Sequence, residues 1–209
     1  MRSTFPGEID IESGPLESTG GKVWEASMRF FSFLIEKSIF TDEMNAKVLE
    51  LGSGCGWLGM RLAKAIPGTS VTMSEQSCFG ALDWLQHNID LNPGLSVCGV
   101  ELDWARIPIE ICDTKWDFVI GAELVYSYEG ARLLASVLRQ ILQRSGAICY
   151  YAHSLNRFES VDEQMFSEFT SNGLQVDVVY GQQAFDHSVG SFSELFRDLE
   201  LVIFKITAT

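Results

Sequence analysis

Basic residues are scarce in this sequence, and they form no long basic stretch. The 209 residues include 15 lysines and arginines against 28 aspartates and glutamates, which gives a formal net charge of −13. Duplex nucleic acid and anionic membranes both attract clusters of Lys and Arg. The composition therefore predicts no nucleic-acid or membrane partner, and it favours a basic one.

Paired cysteines and long apolar runs are also missing. The 5 cysteines are scattered and form neither a C-x-x-C motif nor a Cys/His ligand set, so we predict no metal site and no disulfide framework. No apolar run approaches the ~20 residues that cross a bilayer. The first residues are acidic, unlike the basic-then-apolar start of a secretory leader. These features predict a reducing compartment, the cytoplasm or the nucleus.

The length and the apolar content of 46% suit one globular domain with its own core. Residues 1–22 are rich in Gly, Pro, Ser, Thr and acids without periodicity, which predicts an N-terminal arm. Residues 23–209 are expected to form the single domain. Because one core of this size needs no obligate partner, we expect a monomer.

Apolar periodicity predicts strands that alternate with helices. The predicted strands are 47–51, 70–73, 97–102, 118–122, 147–152, 174–180 and 199–206, and the predicted helices are 24–37, 58–66, 80–89, 130–142 and 161–169. This alternation indicates an α/β fold with a doubly wound, mostly parallel seven-stranded sheet. Residues 181–198 have little helical signal, so the last strand is expected to pair antiparallel.

A glycine-rich loop joins the first predicted strand to the helix after it. Gly52, Gly54 and Gly56 let the backbone turn tightly and approach a ligand, at the sheet edge where open α/β folds bind ligands. A dinucleotide fingerprint would require glycine at position 57, which is Trp57. The loop therefore departs from the usual dinucleotide motif.

Two acidic residues predict which cofactor this loop binds. Glu50 precedes the glycines, where it would repel a pyrophosphate but attract a cation. S-adenosylmethionine carries an ammonium and a sulfonium and has no phosphate. Glu75 follows the second strand, where an acid can accept both ribose hydroxyls. We therefore predict S-adenosylmethionine as the cofactor, bound by Glu50, Gly52, Gly54, Gly56 and Glu75.

Four segments carry a resemblance to a known family. They are Thr19–Trp24, Val48–Gly59, Leu102–Trp104 and Trp116–Tyr126. With them the sequence resembles the seven-β-strand methyltransferases, and more narrowly the protein-lysine methyltransferases called methyltransferase family 16. The resemblance implies a Rossmann-like methyltransferase fold.

The same resemblance implies roles for further residues. The family has an acid-x-x-aromatic motif after the fourth strand, usually beginning with Asp, and here it is Glu123-Leu124-Val125-Tyr126. Glu123 would orient the substrate amine, although its extra methylene shifts the carboxylate, and Tyr126 would offer a hydroxyl or a ring face. Trp24, Asp103, Trp104 and Ala122 would help to bind the cofactor, with Trp104 against the adenine.

The resulting hypothesis is an enzyme that transfers a methyl group to a lysine of a protein substrate. Two alternatives stay open: an N-methyltransferase of a small amine or pyridine, and a non-catalytic cofactor-binding module. The segments 1–22 and 181–198 are expected to choose the substrate. His153, after the fifth strand, is interpreted as a hydrogen-bonded histidine at the pocket rim, with contact to the substrate as the alternative.

Overall fold

The computed structural model describes residues 2–4, 9–13, 21–155, 157–181 and 200–209. The strands are β1 (Arg2–Thr4), β2 (Asp10–Glu12), β3 (Lys47–Glu50), β4 (Ser70–Glu75), β5 (Val97–Glu101), β6 (Phe118–Ala122), β7 (Ile148–Leu155), β8 (Leu174–Tyr180) and β9 (Glu200–Ala208). The helices are α1 (Glu25–Glu36), α2 (Trp57–Ala65), α3 (Ala81–Asp90), α4 (Ile109–Asp113), α5 (Tyr128–Ser145) and α6 (Glu159–Ser171).

Seven strands form one sheet in the order β5-β4-β3-β6-β7-β9-β8. Strands β3 to β7 pair in parallel, and β9 pairs antiparallel with both β7 and β8. The strand order reverses between β4 and β6, on either side of β3, which is where such sheets bind ligands. The predicted fold class, including the antiparallel last strand, is confirmed.

Apolar residues cover both faces of the sheet and divide the core in two. Along β3, Val48 belongs to the cluster formed with α1, α2 and α3, whereas its neighbour Leu49 belongs to the cluster formed with α5 and α6. Side chains of a strand alternate between faces, so a strand buried on both sides reads as a continuous apolar run. This burial on both faces fixes the strand ends that carry the glycine loop.

Local sequence signals set the limits of α5, the longest helix described. The Ser127 hydroxyl accepts a hydrogen bond from the Gly130 amide at 3.0 Å, and Gly146 ends the helix with φ 73°. These are the expected N-cap and C-terminal glycine. The N-terminus of α5 therefore follows the Glu123–Tyr126 motif at a defined distance.

The N-terminal segment has contacts with the domain. Ile9 and Ile11 are buried in the core cluster on the α3 side of the sheet. Asn92 Oδ1 accepts the Asp10 amide at 2.8 Å, and Asn88 Oδ1 accepts the Glu12 amide at 2.9 Å. Within the predicted arm, residues 9–13 thus pack on the domain, whereas residues 14–20 lie outside the described residues. The division into an arm and a domain stays a prediction.

Residues 182–198 also lie outside the described part of the chain, so the predicted connection there is not described. Across the described ranges, the structure has no helix with the length and apolar character needed to cross a bilayer. The same residues contain no group of three or more His, Cys, Asp or Glu side chains arranged to hold a metal ion.

Candidate functional site

A pocket of about 320 Å³ opens at the carboxyl edge of the parallel strands. This volume lies in the range of small-molecule sites. The predicted cofactor residues Glu50, Gly52, Gly54 and Glu75 line it from the loops after β3 and β4. Trp24, Asp103, Trp104, Ala122, Glu123 and Tyr126 line its other walls. Residues that are distant in sequence are therefore brought to one site.

Gly56 is the predicted site residue that does not border the pocket. It precedes α2 with φ 82°, and a Cβ there would lie 2.6 Å from Leu85 Cδ1 on α3. Its small size therefore serves the packing of α2 against α3, and its assignment to the cofactor stays a prediction. Gly52, with φ 58°, does face the pocket, and a Cβ there would lie 2.7 Å from Leu124 Cδ2.

Hydrogen bonds from β4 and α3 hold the glycine loop in place. The Ser53 amide donates to the Ser74 carbonyl at 3.0 Å, and the Ser74 hydroxyl donates to the Glu50 carbonyl at 2.7 Å. Asn88 Nδ2 donates to the Cys55 carbonyl at 3.1 Å. Since these backbone groups are satisfied by the protein, the loop has its turn geometry without a ligand.

Both oxygens of Glu75 are fixed by backbone amides. Oε2 accepts the Gly54 amide and Oε1 accepts the Gln76 amide, each at 2.9 Å. Burial raises the pKa of this carboxyl above its usual value, although the two amides oppose the rise. Each carboxylate oxygen has a second lone pair. Glu75 can therefore accept two ligand hydroxyls, as a ribose would require.

Glu50 is a buried acid at the base of the pocket, with only 3% of its surface exposed. Burial raises its pKa to about 8, and the neighbouring Ser53 side chain and Gly59 amide oppose the rise. Among the described residues, its Oε2 has no hydrogen-bond partner. A buried acceptor without a partner costs about 1–3 kcal/mol. An ammonium group in the pocket would satisfy it, so this acid fits S-adenosylmethionine.

The motif residues lie at the mouth of the pocket. Glu123 has φ 54°, an uncommon conformation for a residue other than glycine. It is held there because its amide donates to the Ala152 carbonyl at 2.9 Å and its Oε1 accepts the Ser154 amide at 2.8 Å. Tyr126 is exposed. One residue is thus rigidly placed, and the other faces solvent at the opening.

His153 differs from the sequence interpretation of a rim residue. It is hydrogen-bonded as expected, with Nδ1 at 2.8 Å from the Tyr151 hydroxyl and Nε2 at 2.9 Å from Asp162 Oδ1. However, it is buried and does not line the pocket. The sequence placed His153 near the site because β7 ends there. In the structure its side chain instead points toward α6, where it contacts Asp162.

Lys22 is a pocket residue that the sequence analysis did not assign. It is the one basic side chain among the described residues that line the pocket, beside Glu50, Glu75, Asp103 and Glu129. Trp24, two residues later in the same segment, was expected at the pocket, and this proximity in sequence was the available indication for Lys22. The Lys22 ammonium can therefore pair with a negatively charged group of a bound ligand.

Comparisons with known proteins agree with this geometry. The sequence model of a family described as lysine methyltransferase matches residues 5–172. The chain is 30% identical over 147 residues to EEF1A lysine methyltransferase 3 of Mus musculus, covering 69% of this chain and 60% of that protein. It is 27% identical over 186 residues to a Schizosaccharomyces pombe protein named diaminohydroxyphosphoribosylamino-pyrimidine deaminase, covering 85% of this chain and 44% of that protein. The chain therefore spans less than two thirds of these relatives.

Solved structures share the fold at low identity. TYW2 of M. jannaschii, solved in complex with AdoMet, has a TM-score of 0.62 and 17% identity, covering 100% of this chain and 86% of that chain. The fold and the pocket define a Rossmann-like methyltransferase. More narrowly, the match over most of its length shows that the chain belongs to the lysine methyltransferase family, methyltransferase family 16. The family and the AdoMet complex of TYW2 together indicate S-adenosylmethionine as the cofactor, in agreement with the prediction.

Proposed function

We propose that this protein methylates a lysine side chain of another protein. The observation that carries the proposal is the position of the Glu123–Tyr126 motif, which borders the same pocket as Glu50 and Glu75. A cofactor held by the two inner acids would then lie beside residues able to orient an amine. Family membership and the lysine methyltransferases among the relatives support the same conclusion.

We assign the cofactor contacts by charge and shape. Glu75 is proposed to accept the ribose hydroxyls, Glu50 to pair with the ammonium, and Trp104 to lie against the adenine. Gly52 and Trp104 both line the pocket, and a Cβ at Gly52 would lie 3.9 Å from the Trp104 ring, so this ring lies beside the glycine loop. When bound, the cofactor supplies a methyl group already activated by the sulfonium.

The remaining task of the protein is to present a neutral amine. A free lysine has a pKa of ~10.4, so only about one in a thousand is neutral at pH 7. Partial desolvation near a cationic ligand lowers that pKa. Glu123 is proposed to orient the amine by hydrogen bonding, since its carboxylate is already held by the Ser154 amide.

The rim of the pocket supports a protein substrate over a small amine. Tyr126 lines the pocket and is exposed, and Phe158 is an exposed aromatic side chain whose ring centre lies 5.8 Å from Arg157 Cζ. Exposed aromatic groups beside an acidic pocket suit a basic polypeptide segment. A closing lid from residues 1–22 would favour a small amine, but residues 14–20 of it are outside the described ranges.

Removing the Tyr126 hydroxyl tests the proposal. With methyl-labelled cofactor and a cell lysate, we expect a labelled protein band that yields methyl-lysine. Tyr126→Phe should reduce the rate of labelling about tenfold, since one net hydrogen bond contributes about 0.5–1.5 kcal/mol, with unchanged cofactor affinity by calorimetry. Tyr128→Phe is the matched control, because Tyr128 is exposed nearby but does not line the pocket.

Two other results would favour the alternatives. Label found only in small molecules would support the small-amine methyltransferase and refute the lysine proposal. Cofactor binding without any transfer, unchanged by Tyr126→Phe and Glu123→Ala, would support the binding module.

Lys22 is expected to pair with the carboxylate of the cofactor. Lys22→Gln should weaken S-adenosylhomocysteine binding about fivefold, the size of a partly exposed ion pair, and leave 5′-methylthioadenosine binding unchanged, because that ligand has no amino-acid end. Lys64→Gln is the control, since Lys64 is exposed on α2 and does not line the pocket. An equal loss for both ligands would show that Lys22 acts on the pocket and not on the carboxylate.

We also propose, from the sequence, a monomer without a nucleic-acid partner in the cytoplasm or nucleus. The buried thiols of Cys55, Cys112 and Cys149 support a reducing compartment, and the net charge of −13 disfavours nucleic acid.

A further inference from the structure

The carboxylate of Glu123 also contacts groups of the protein itself. Its Oε2 lies 3.5 Å from Arg157 Nη1, in an ion pair between side chains that are 10% and 31% exposed respectively. Arg157 lies in the connection between β7 and α6, so it reaches the motif from outside the pocket. Glu123 thus borders the pocket with one oxygen toward a backbone amide and the other toward a guanidinium.

Two aromatic rings help to fix the guanidinium in this position. The Arg157 Cζ atom lies 5.3 Å from the centre of the Trp24 ring and 5.8 Å from that of Phe158. A planar guanidinium stacks on such rings better than an ammonium does. Because Trp24 also lines the pocket, the position of Arg157 is linked to one wall of the candidate cofactor site.

The other titratable groups around Glu123 come from β7 and α6. Burial raises the pKa of Tyr151 well above its usual value, with a further rise from the charge of Glu123, so this phenol is neutral. Its hydroxyl contacts His153, which contacts Asp162 in turn. Arg157 is therefore the permanently charged partner placed against the Glu123 carboxylate.

An uncompensated carboxylate beside the substrate would oppose the reaction. It would stabilise the ammonium form of lysine, whereas the attacking amine must be neutral. We propose that Arg157 is a positioning residue that compensates the charge of Glu123, so that Glu123 orients the amine without holding it protonated. The consequence for the amine rests on the proposed function, but the charge compensation can be measured with the cofactor alone.

The test compares S-adenosylmethionine, which is cationic at sulfur, with S-adenosylhomocysteine, which is neutral there. Calorimetry gives the ratio of their dissociation constants for each variant of the full chain. Arg157→Gln would free the Glu123 charge, so we expect the preference for the sulfonium ligand to rise about three- to fivefold. Arg157→Lys should restore the wild-type ratio. Arg157→Met provides a second neutral variant that keeps the apolar stem against Trp24.

The Glu123→Gln background shows whether the effect passes through Glu123. In that background Arg157→Gln should leave the ratio unchanged. Arg144→Gln, which removes an ion pair with Asp113 away from the pocket, should not change it either. An unchanged ratio in both Arg157→Gln and Arg157→Met would overturn the proposal, and so would a change that persists with Gln at position 123. A chain that shows the expected ratios but methylates no protein would refute the proposed function alone.

Discussion

Glu75→Ala is expected to weaken S-adenosylmethionine binding by about 100-fold or more. A hydrogen bond to a charged acceptor is worth about 1.5–3 kcal/mol, and Glu75 is proposed to accept two from the ribose. The substitution also releases the Gly54 and Gln76 amides, which Glu75 now accepts at 2.9 Å. Both effects act on the same loop. Calorimetry with S-adenosylmethionine and S-adenosylhomocysteine should show equal losses, because the ligands share the ribose.

Glu101→Ala is the matched control for this prediction. Glu101 is the register partner of Glu75 on the adjacent strand β5, but it is exposed and does not line the pocket. Its removal should leave cofactor affinity unchanged. If Glu75→Ala bound as tightly as the wild type, the ribose assignment would be wrong. A similar loss for both variants would instead indicate a general effect of negative charge at this edge.

Sequence periodicity predicted the sheet because its strands are buried on both faces. The run 118–122 is apolar throughout and matches β6 residue for residue, and α5 extends only a few residues beyond the predicted 130–142. Short elements escaped prediction: α4 has five residues, and β2 has three. Segments this short carry only about one and a half periods of an amphipathic pattern, and long-range contacts decide their structure.

A site residue could be predicted from the sequence where only one role explains its residue type at that position. Glu50 and Glu75 followed from strand ends and charge, and both line the pocket. Gly56 could not be separated from Gly52 and Gly54 by sequence, because packing against Leu85 and approach of a ligand both require glycine. Arg157 was out of reach for another reason. Its pairing with Glu123 joins positions 34 residues apart, and only the meeting of two strand ends brings them together.

Glu50 should make the stability of the chain fall as pH rises from about 5 to about 8. Its pKa is about 8 in the folded chain against 4.5 as the usual value, so the folded state binds the extra proton between these pH values. The stability associated with this proton is fully present below pH 4.5 and is lost as pH rises through about 8. At about 1.4 kcal/mol per pKa unit, the loss is on the order of 4 kcal/mol. The free energy of unfolding, measured by denaturation at pH 5 and pH 9, should fall less between these pH values in Glu50→Gln than in the wild type.

The protonation of Glu50 should also be linked to cofactor binding. An ammonium beside Glu50 favours the carboxylate, so binding should release about one proton, and affinity should rise 20- to 30-fold from pH 6.0 to 7.5. Calorimetry in buffers of different ionisation enthalpy would count that proton. Glu50→Gln should bind more weakly at pH 7.5 and show no such rise, and 5′-methylthioadenosine, which has no ammonium, should show none with the wild type. Equal affinity of the wild type for S-adenosylmethionine at both pH values would mean that the ammonium does not meet Glu50, since a buried acid with this pKa cannot pair with a cation without losing its proton.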